Sequence, residues 1–112
     1  MSTRLSYVIR FVANMDKAVT YFRDELGLSL RFQSAEWSEF STGETTLALH
    51  LASAQNPAGK VQIGFNVPHL QAFYEEMSAR GMQFTQLPTS EAGAKLARFL
   101  DFEGVECSLS GG

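Results

Sequence analysis

The segment FVANMDKAVTYFRDELGL, residues 11–28, returns in weaker form about 55 residues further on, and this duplication constrains the fold more than any other feature of the chain. Residues 4–13, RLSYVIRFVA, are rich in β-branched and aromatic types and lack Gly and Pro, which predicts a strand. On such a strand Tyr7, Ile9 and Phe11 share one face, and Val8, Arg10 and Val12 the other. Asn14 then stands where an N-cap belongs, with Asp16 in the first turn where the helix dipole favours a negative charge. Ala18, Val19, Phe22 and Leu26 recur at helical spacing, and Gly27 is placed to end the helix with positive φ. Short apolar segments at 28–32, 36–41 and 45–51, the last two joined across Thr42-Gly43, read as three more strands. The first half is therefore β-α-β-β-β.

Residues 52–60, ASAQNPAGK, are small, polar and turn-forming, and mark a surface linker at the midpoint. Beyond it the plan repeats. Residues 61–67 predict a strand, Pro68 suits a first helical turn, and Leu70, Phe73, Tyr74 and Met77 give an amphipathic helix ended by Gly81. Residues 82–86 follow as a strand, 88–93 as a loop, and 95–100 and 105–109 as closing strands. With one small gap the halves align: Val12 on Val67, Met15 on Leu70, Phe22 on Met77, Gly27 on Gly81, Leu28 on Met82 and Phe40 on Phe99. The expectation is one domain spanning 1–112, made of modules 4–52 and 60–110.

A chain of 112 residues, 45% hydrophobic, supports one compact domain and not two independent ones. A net charge of -3 provides no basic field for nucleic acid or an anionic membrane surface. The single cysteine, Cys107, cannot form an internal disulfide, no export signal follows Met1, and no apolar run is long enough to span a bilayer. A soluble cytoplasmic protein is expected. The chain holds nine Phe, three Tyr and one Trp, more aromatic material than a core this small requires, and part of it is expected to line a pocket.

The helix-side sequence AVTYFRDELGL and the later Asp101-Phe-Glu-Gly-Val105 resemble the vicinal oxygen chelate superfamily, which includes glyoxalases, extradiol dioxygenases, fosfomycin-resistance enzymes and bleomycin-resistance binding proteins. The resemblance runs from about Arg4 to Leu109. The first motif is similar to the family's A-x-x-F-Y-x-x-x-L-G-L/F with the two aromatics swapped. The second keeps the Asp and Gly of the usual Asp-Pro-Asp-Gly-Asn and loses the Pro and Asn. The resemblance implies an α+β fold in which two βαβββ modules form a curved, half-open mixed sheet, a cup with helices on its outer face. It also implies a ligand held in the cup, and, since many members are homodimers and a lone chain this short would expose sheet edges and a broad concave face, a homodimer is expected here.

Catalytic members of that superfamily resemble one another in holding a metal through up to four His, Gln or Glu side chains on cup-facing strands. Carried over by position, those sites fall on Tyr7, Ala48, Gln62 and Ser108, and only Gln62 is a usual ligand type. No metal or other cofactor is therefore expected. The alternative is a divalent ion on His50, Gln62 and Glu106, since His50 and Glu106 lie two residues from Ala48 and Ser108 and share their faces by strand alternation. Each is displaced by roughly 6–7 Å along its strand. Other chemistry finds little support: there is no phosphate-cradling glycine loop, Cys-x-x-Cys or His-Glu-x-x-His, and no third group is evident to orient His50 toward Ser108. Cys107 should face the helix side as a small hydrophobe, and His69 should be a surface residue.

The ligand-binding residues expected from this reading are Tyr7, Ile9, Phe11, Trp37, Ala48, His50, Gln62, Glu106 and Ser108. Either Trp37 or Phe40, which alternate on one strand, faces inward. An aromatic, apolar surface with a few hydrogen-bonding groups suits a small flat or amphipathic molecule. The leading expectation is a metal-independent binding protein of the bleomycin-resistance type, acting by sequestering an antibiotic or aromatic ligand. A metal-dependent glyoxalase-like lyase or dioxygenase and an interaction domain with a filled cup are the alternatives.

Overall fold

The computed structural model describes residues 2–91 and 93–112. In chain order the elements are β1 (Arg4–Val12), α1 (Met15–Thr20), a π-helical turn (Tyr21–Glu25), β2 (Ser29–Gln33), β3 (Trp37–Ser41), β4 (Thr46–Leu51), β5 (Val61–Val67), α2 (Leu70–Ala79), β6 (Phe84–Glu91), β7 (Ala94–Leu100) and β8 (Glu106–Gly111). The fold is α+β with the β-α-β-β-β plan repeated. Two compact units divide the chain, one of Ser6–Gln62 and one of Ile63–Gly112 with the residues before Ser6. They are called the N-terminal and C-terminal modules below. No helix among the described residues is long and apolar enough to cross a membrane.

In the N-terminal module the strand order is β2-β3-β4-β1. β1 runs parallel to β4, with Tyr7 opposite Thr46 and Val12 opposite Leu51, and β3 is antiparallel to both β4 and β2. A parallel neighbour for β1 requires a crossover, and α1 supplies it. Asn14 is the N-cap expected from the sequence: its backbone is extended and its side chain accepts the Lys17 N–H at 3.0 Å. Met15 and Val19 of α1 are buried with Val12, Phe40 and Leu49, and Phe22 packs against them. The linker after β4 is tied down rather than loose, because the Phe11 N–H donates to Lys60 O and the Gly59 N–H to Phe11 O, at 2.9 and 2.8 Å.

The first helix corrects the sequence reading. Regular α-helix stops at Thr20, and the next five residues form a π-helical turn in which the Leu26 N–H reaches back to Tyr21 O at 3.0 Å. Five steps separate Phe22 from Gly27 where four separate Met77 from Gly81, so this turn absorbs the residue that opens the gap between the aligned halves. The closing bonds show the same offset: Met82 N–H donates to Met77 O across Gly81, whereas Leu28 N–H donates to Phe22 O across Gly27. Both glycines have positive φ, at 97° and 80°. The wider turn rotates Leu26 off the buried face, and it is 57% exposed instead of packed as its spacing suggested.

In the C-terminal module the strand order is β5-β8-β7-β6, with β5 parallel to β8 and the remaining pairs antiparallel. The buried set is Val67, Leu70, Phe73, Ala97, Phe99, Cys107 and Leu109. Val67, Leu70 and Phe99 thus repeat the roles of Val12, Met15 and Phe40, as the alignment of the halves predicts. Two local readings need correction. Pro68 precedes α2 rather than entering its first turn, and His69 is the N-cap without a side-chain bond. Residues 88–91, expected as loop, belong to β6, which tolerates Pro88 because it is the last strand of the order and its pairing with β7 is irregular between Gln86 and Thr89.

The end of β8 closes against the start of α2, where the Leu70 N–H donates to Gly112 O at 3.1 Å. A Cβ on Gly111 would fall onto the carbonyl oxygen of Val67 and press on Leu70 Cβ at 3.2 Å. Backbone cannot yield as a flexible side chain would. Gly111→Ala is therefore expected to cost about 1–3 kcal/mol in urea unfolding. A loss below about 0.5 kcal/mol would show that the packing here is looser than described.

Candidate functional site

Strand register in the N-terminal module builds three rows on the sheet face opposite α1. Tyr7 lies beside Thr46 and Ser41, Ile9 beside Ala48 and Glu39, and Phe11 beside His50 and Trp37. The alternate positions, among them Phe40 and Leu49, point to the helix. The choice between Trp37 and Phe40 is thereby resolved, with Trp37 on the face of Tyr7 and His50. Six of the residues expected at a binding site therefore share one surface: Tyr7, Ile9, Phe11, Trp37, Ala48 and His50.

These side chains form a small cluster of their own. Ile9, Phe11 and Ala48 are buried, with Tyr7, Trp37 and Ala52 packed against them. The rings are in contact: Tyr7 to Trp37 at 6.1 Å between centroids, Phe11 to His50 at 5.1 Å, and Trp37 edge-on to His50 at 5.8 Å and 90°. Phe11 and Ile9 are thus floor, and the half-buried Tyr7, Trp37 and His50 are what the surface presents. His50 Nδ1 lies 2.8 Å from Leu51 O, a geometry in which the ring donates to the carbonyl.

Sequence reasoning missed a charged pair on the same surface. Glu39 Oε1 receives Nε and Nη2 of Arg31 at 3.2 and 2.7 Å, while Oε2 accepts the Trp37 indole N–H at 2.8 Å. Arg31 Nη2 also donates to Thr46 Oγ1 at 2.8 Å. Both carboxylate oxygens of Glu39 are thus engaged, and the indole ring is held by its N–H edge. Burial pushes the Tyr7 phenol above its ordinary ionisation range, the Glu39 charge adds to this, and Arg31 opposes it. Tyr7 is accordingly a neutral hydrogen-bonding group at physiological pH. Glu39 was legible once Trp37 was placed, being two residues along the same strand. Arg31 was not, because β2 is irregular between Leu30 and Phe32 and simple alternation fails there.

The remaining expected residues lie elsewhere. Gln62 is buried on β5. Glu106 and Ser108 belong to β8 of the C-terminal module, where both are half-buried and Glu106 accepts the Thr85 hydroxyl at 2.6 Å. Cys107, between them, lies in the helix-side core as expected.

Among the described residues no group of three or more His, Cys, Asp or Glu side chains could hold a metal ion. Ala48 offers no donor atom, and the Tyr7 ring is engaged with Trp37. These two of the four positions where the family resemblance places metal ligands thus carry no His, Gln or Glu donor.

Paired βαβββ modules, with an aromatic surface opposite the first helix, define a protein of the glyoxalase type. The chain belongs to the Glyoxalase/Bleomycin resistance protein/Dioxygenase superfamily, whose profile matches residues 4–109. Solved structures share its fold at low identity. The hypothetical protein BH1468 from Bacillus halodurans C-125 has a TM-score of 0.79 at 16% identity, covering 100% of this chain and 96% of that one. Methylmalonyl-CoA epimerase from Mycobacterium tuberculosis has a TM-score of 0.78 at 17% identity, covering 96% and 86%. A glyoxalase/bleomycin resistance protein/dioxygenase superfamily member from Vibrio splendidus 12B01 has a TM-score of 0.70 at 14% identity, covering 99% and 100%. No curated protein matches the chain in sequence.

Proposed function

We propose that this protein binds a small aromatic or amphipathic molecule without the help of a metal, in the manner of the sequestering members of its superfamily. The observation that supports this reading most is the exchange of donors for rings: Tyr7 and Ala48 occupy positions where the family resemblance places metal ligands, and Trp37 meets both Tyr7 and His50 on that surface. A ligand would stack on the indole face and be oriented by the Tyr7 hydroxyl and the Nε2 atom of His50. Glu39 and Arg31 would fix the indole and contribute little net charge, since each neutralises the other.

Trp37 is the only tryptophan, so its emission reports on this surface alone. A panel of planar aromatic compounds is expected to include some that shift Trp37 fluorescence and raise the melting temperature together, with about 2.7 kcal/mol of stabilisation at a hundredfold excess over Kd. Protein purified without chelator should bind them equally well before and after dialysis against one. Failure of the whole panel would end this reading. Stoichiometric metal that is lost on His50→Ala would replace it with a metal-dependent one.

A further inference from the structure

A cavity of about 610 Å³ lies wholly within the C-terminal module, between the C-terminal half of α2 and the sheet. Its volume falls in the range of small-molecule sites, roughly 300–1,000 Å³. Phe99, Cys107 and Leu109 form its floor and are nearly inaccessible, whereas Ser108 and Glu106 point to the other face of β8 by alternation. This is therefore the helix side of the sheet and not the surface described above.

The lining is almost entirely carbon and sulfur, and two of its walls are Met77 and Met82, the side chains that most readily adjust to a guest. Charge is confined to Glu76, Arg80 and Asp101. Arg80 is committed to Glu76 at 3.4 Å, and Asp101 Oδ1 accepts the backbone N–H groups of Glu103 and Val105 at 2.9 and 3.0 Å. Two carboxylates and one guanidinium thus line the cavity, and the last turn of α2 adds its own negative end. The Cys107 thiol registers the same field: burial raises its pKa first, and Asp101 and Glu106 raise it further.

We propose that this cavity is a binding site for a slender apolar molecule carrying one cationic amine, with the apolar stem on the methionine-lined floor and the ammonium between Glu76 and Asp101. A long-chain carboxylate of equal length would meet the wrong charge at the mouth. A charge-assisted hydrogen bond to the ammonium separates the two by about tenfold or more in affinity.

Cys107 makes the site directly observable, since it is the only cysteine and lies on the cavity floor. The rate of its methylthiolation by methyl methanethiosulfonate, followed by mass spectrometry, is measured with decylamine or decanoate present below their micellar concentrations. Decylamine is expected to slow the reaction at concentrations about tenfold lower than decanoate. Met77→Trp, which fills the cavity, should itself slow the reaction and remove any further effect of decylamine, and Glu76→Lys on the exposed helix surface should turn the preference toward decanoate. The proposal is overturned if Cys107 is unreactive in the free protein, if decylamine gives no protection, or if Glu76→Lys leaves the preference for the amine unchanged.

Discussion

Phe40→Ala is expected to be the most damaging single truncation in the N-terminal module, costing about 3–5 kcal/mol in urea unfolding and lowering the melting temperature by about 12–20 °C. Phe40 is 0% exposed and lies at the centre of a buried set with Val12, Met15, Val19 and Leu49. Its ring meets Phe22 at 6.0 Å, and its backbone neighbours across β2 and β4 are Leu30 and Leu47. Removing it opens a void bounded by strand on two sides and helix on the third, where collapse would require the strands themselves to move. Phe102→Ala is the matched control, because that phenylalanine is 95% exposed and should change stability by no more than about 0.5 kcal/mol. A loss at Phe40 of less than about 1 kcal/mol would mean that the helix does not seal this face.

Phe40 also shows why the fold was legible in the sequence. Its alignment with Phe99 rests on periodicity, capping and glycine stops, all of which are local, and duplication supplies each of them twice. Where the structure departs from that reading, a local rule gives way to a longer-range one. The π-helical turn at Tyr21–Glu25 left a trace in the sequence only as one residue too many between Phe22 and Gly27. Pro88 sits within a strand because that strand pairs on one side only within its module and is irregular there, a placement that proline's usual punctuation value does not foresee.

The candidate site was legible in its ring content and not in its arrangement. Strand alternation correctly assembles Tyr7, Ile9 and Phe11 on one face, but it does not say that Ile9 and Phe11 are sealed by their neighbours and that Tyr7, Trp37 and His50 are what remains on the surface. Nor does it give the Arg31–Glu39 pair that fixes the indole, because such contacts depend on cross-strand register, which the sequence of a single strand does not contain. The charge on this surface is internally balanced, whereas the cavity under α2 carries an excess carboxylate. The two locations therefore suit ligands of different charge.

Trp37→Ala is expected to weaken binding of any aromatic ligand at the first of these locations by about 2 kcal/mol or more, roughly thirtyfold. The indole is the largest ring presented there, and its edge is fixed by the 2.8 Å bond to Glu39, so little conformational freedom remains to be lost when a ligand stacks on it. Trp37→Phe separates area from anchoring. It retains an aromatic face and removes the donor to Glu39, so affinity should fall by an intermediate amount as the ring gains freedom and Glu39 loses a partner. Glu39→Gln approaches the same bond from the other side, keeping the indole while weakening the acceptor that holds it. Because the alanine and phenylalanine variants lack the fluorescent reporter, calorimetric titration is the measurement, with the melting temperature of each free variant recorded alongside. The ordering wild type, phenylalanine, alanine is the signature of a stacking platform held at its edge. Equal affinity in all three, with the fold intact, would place the ligand away from Trp37 and remove the basis for a binding surface opposite α1.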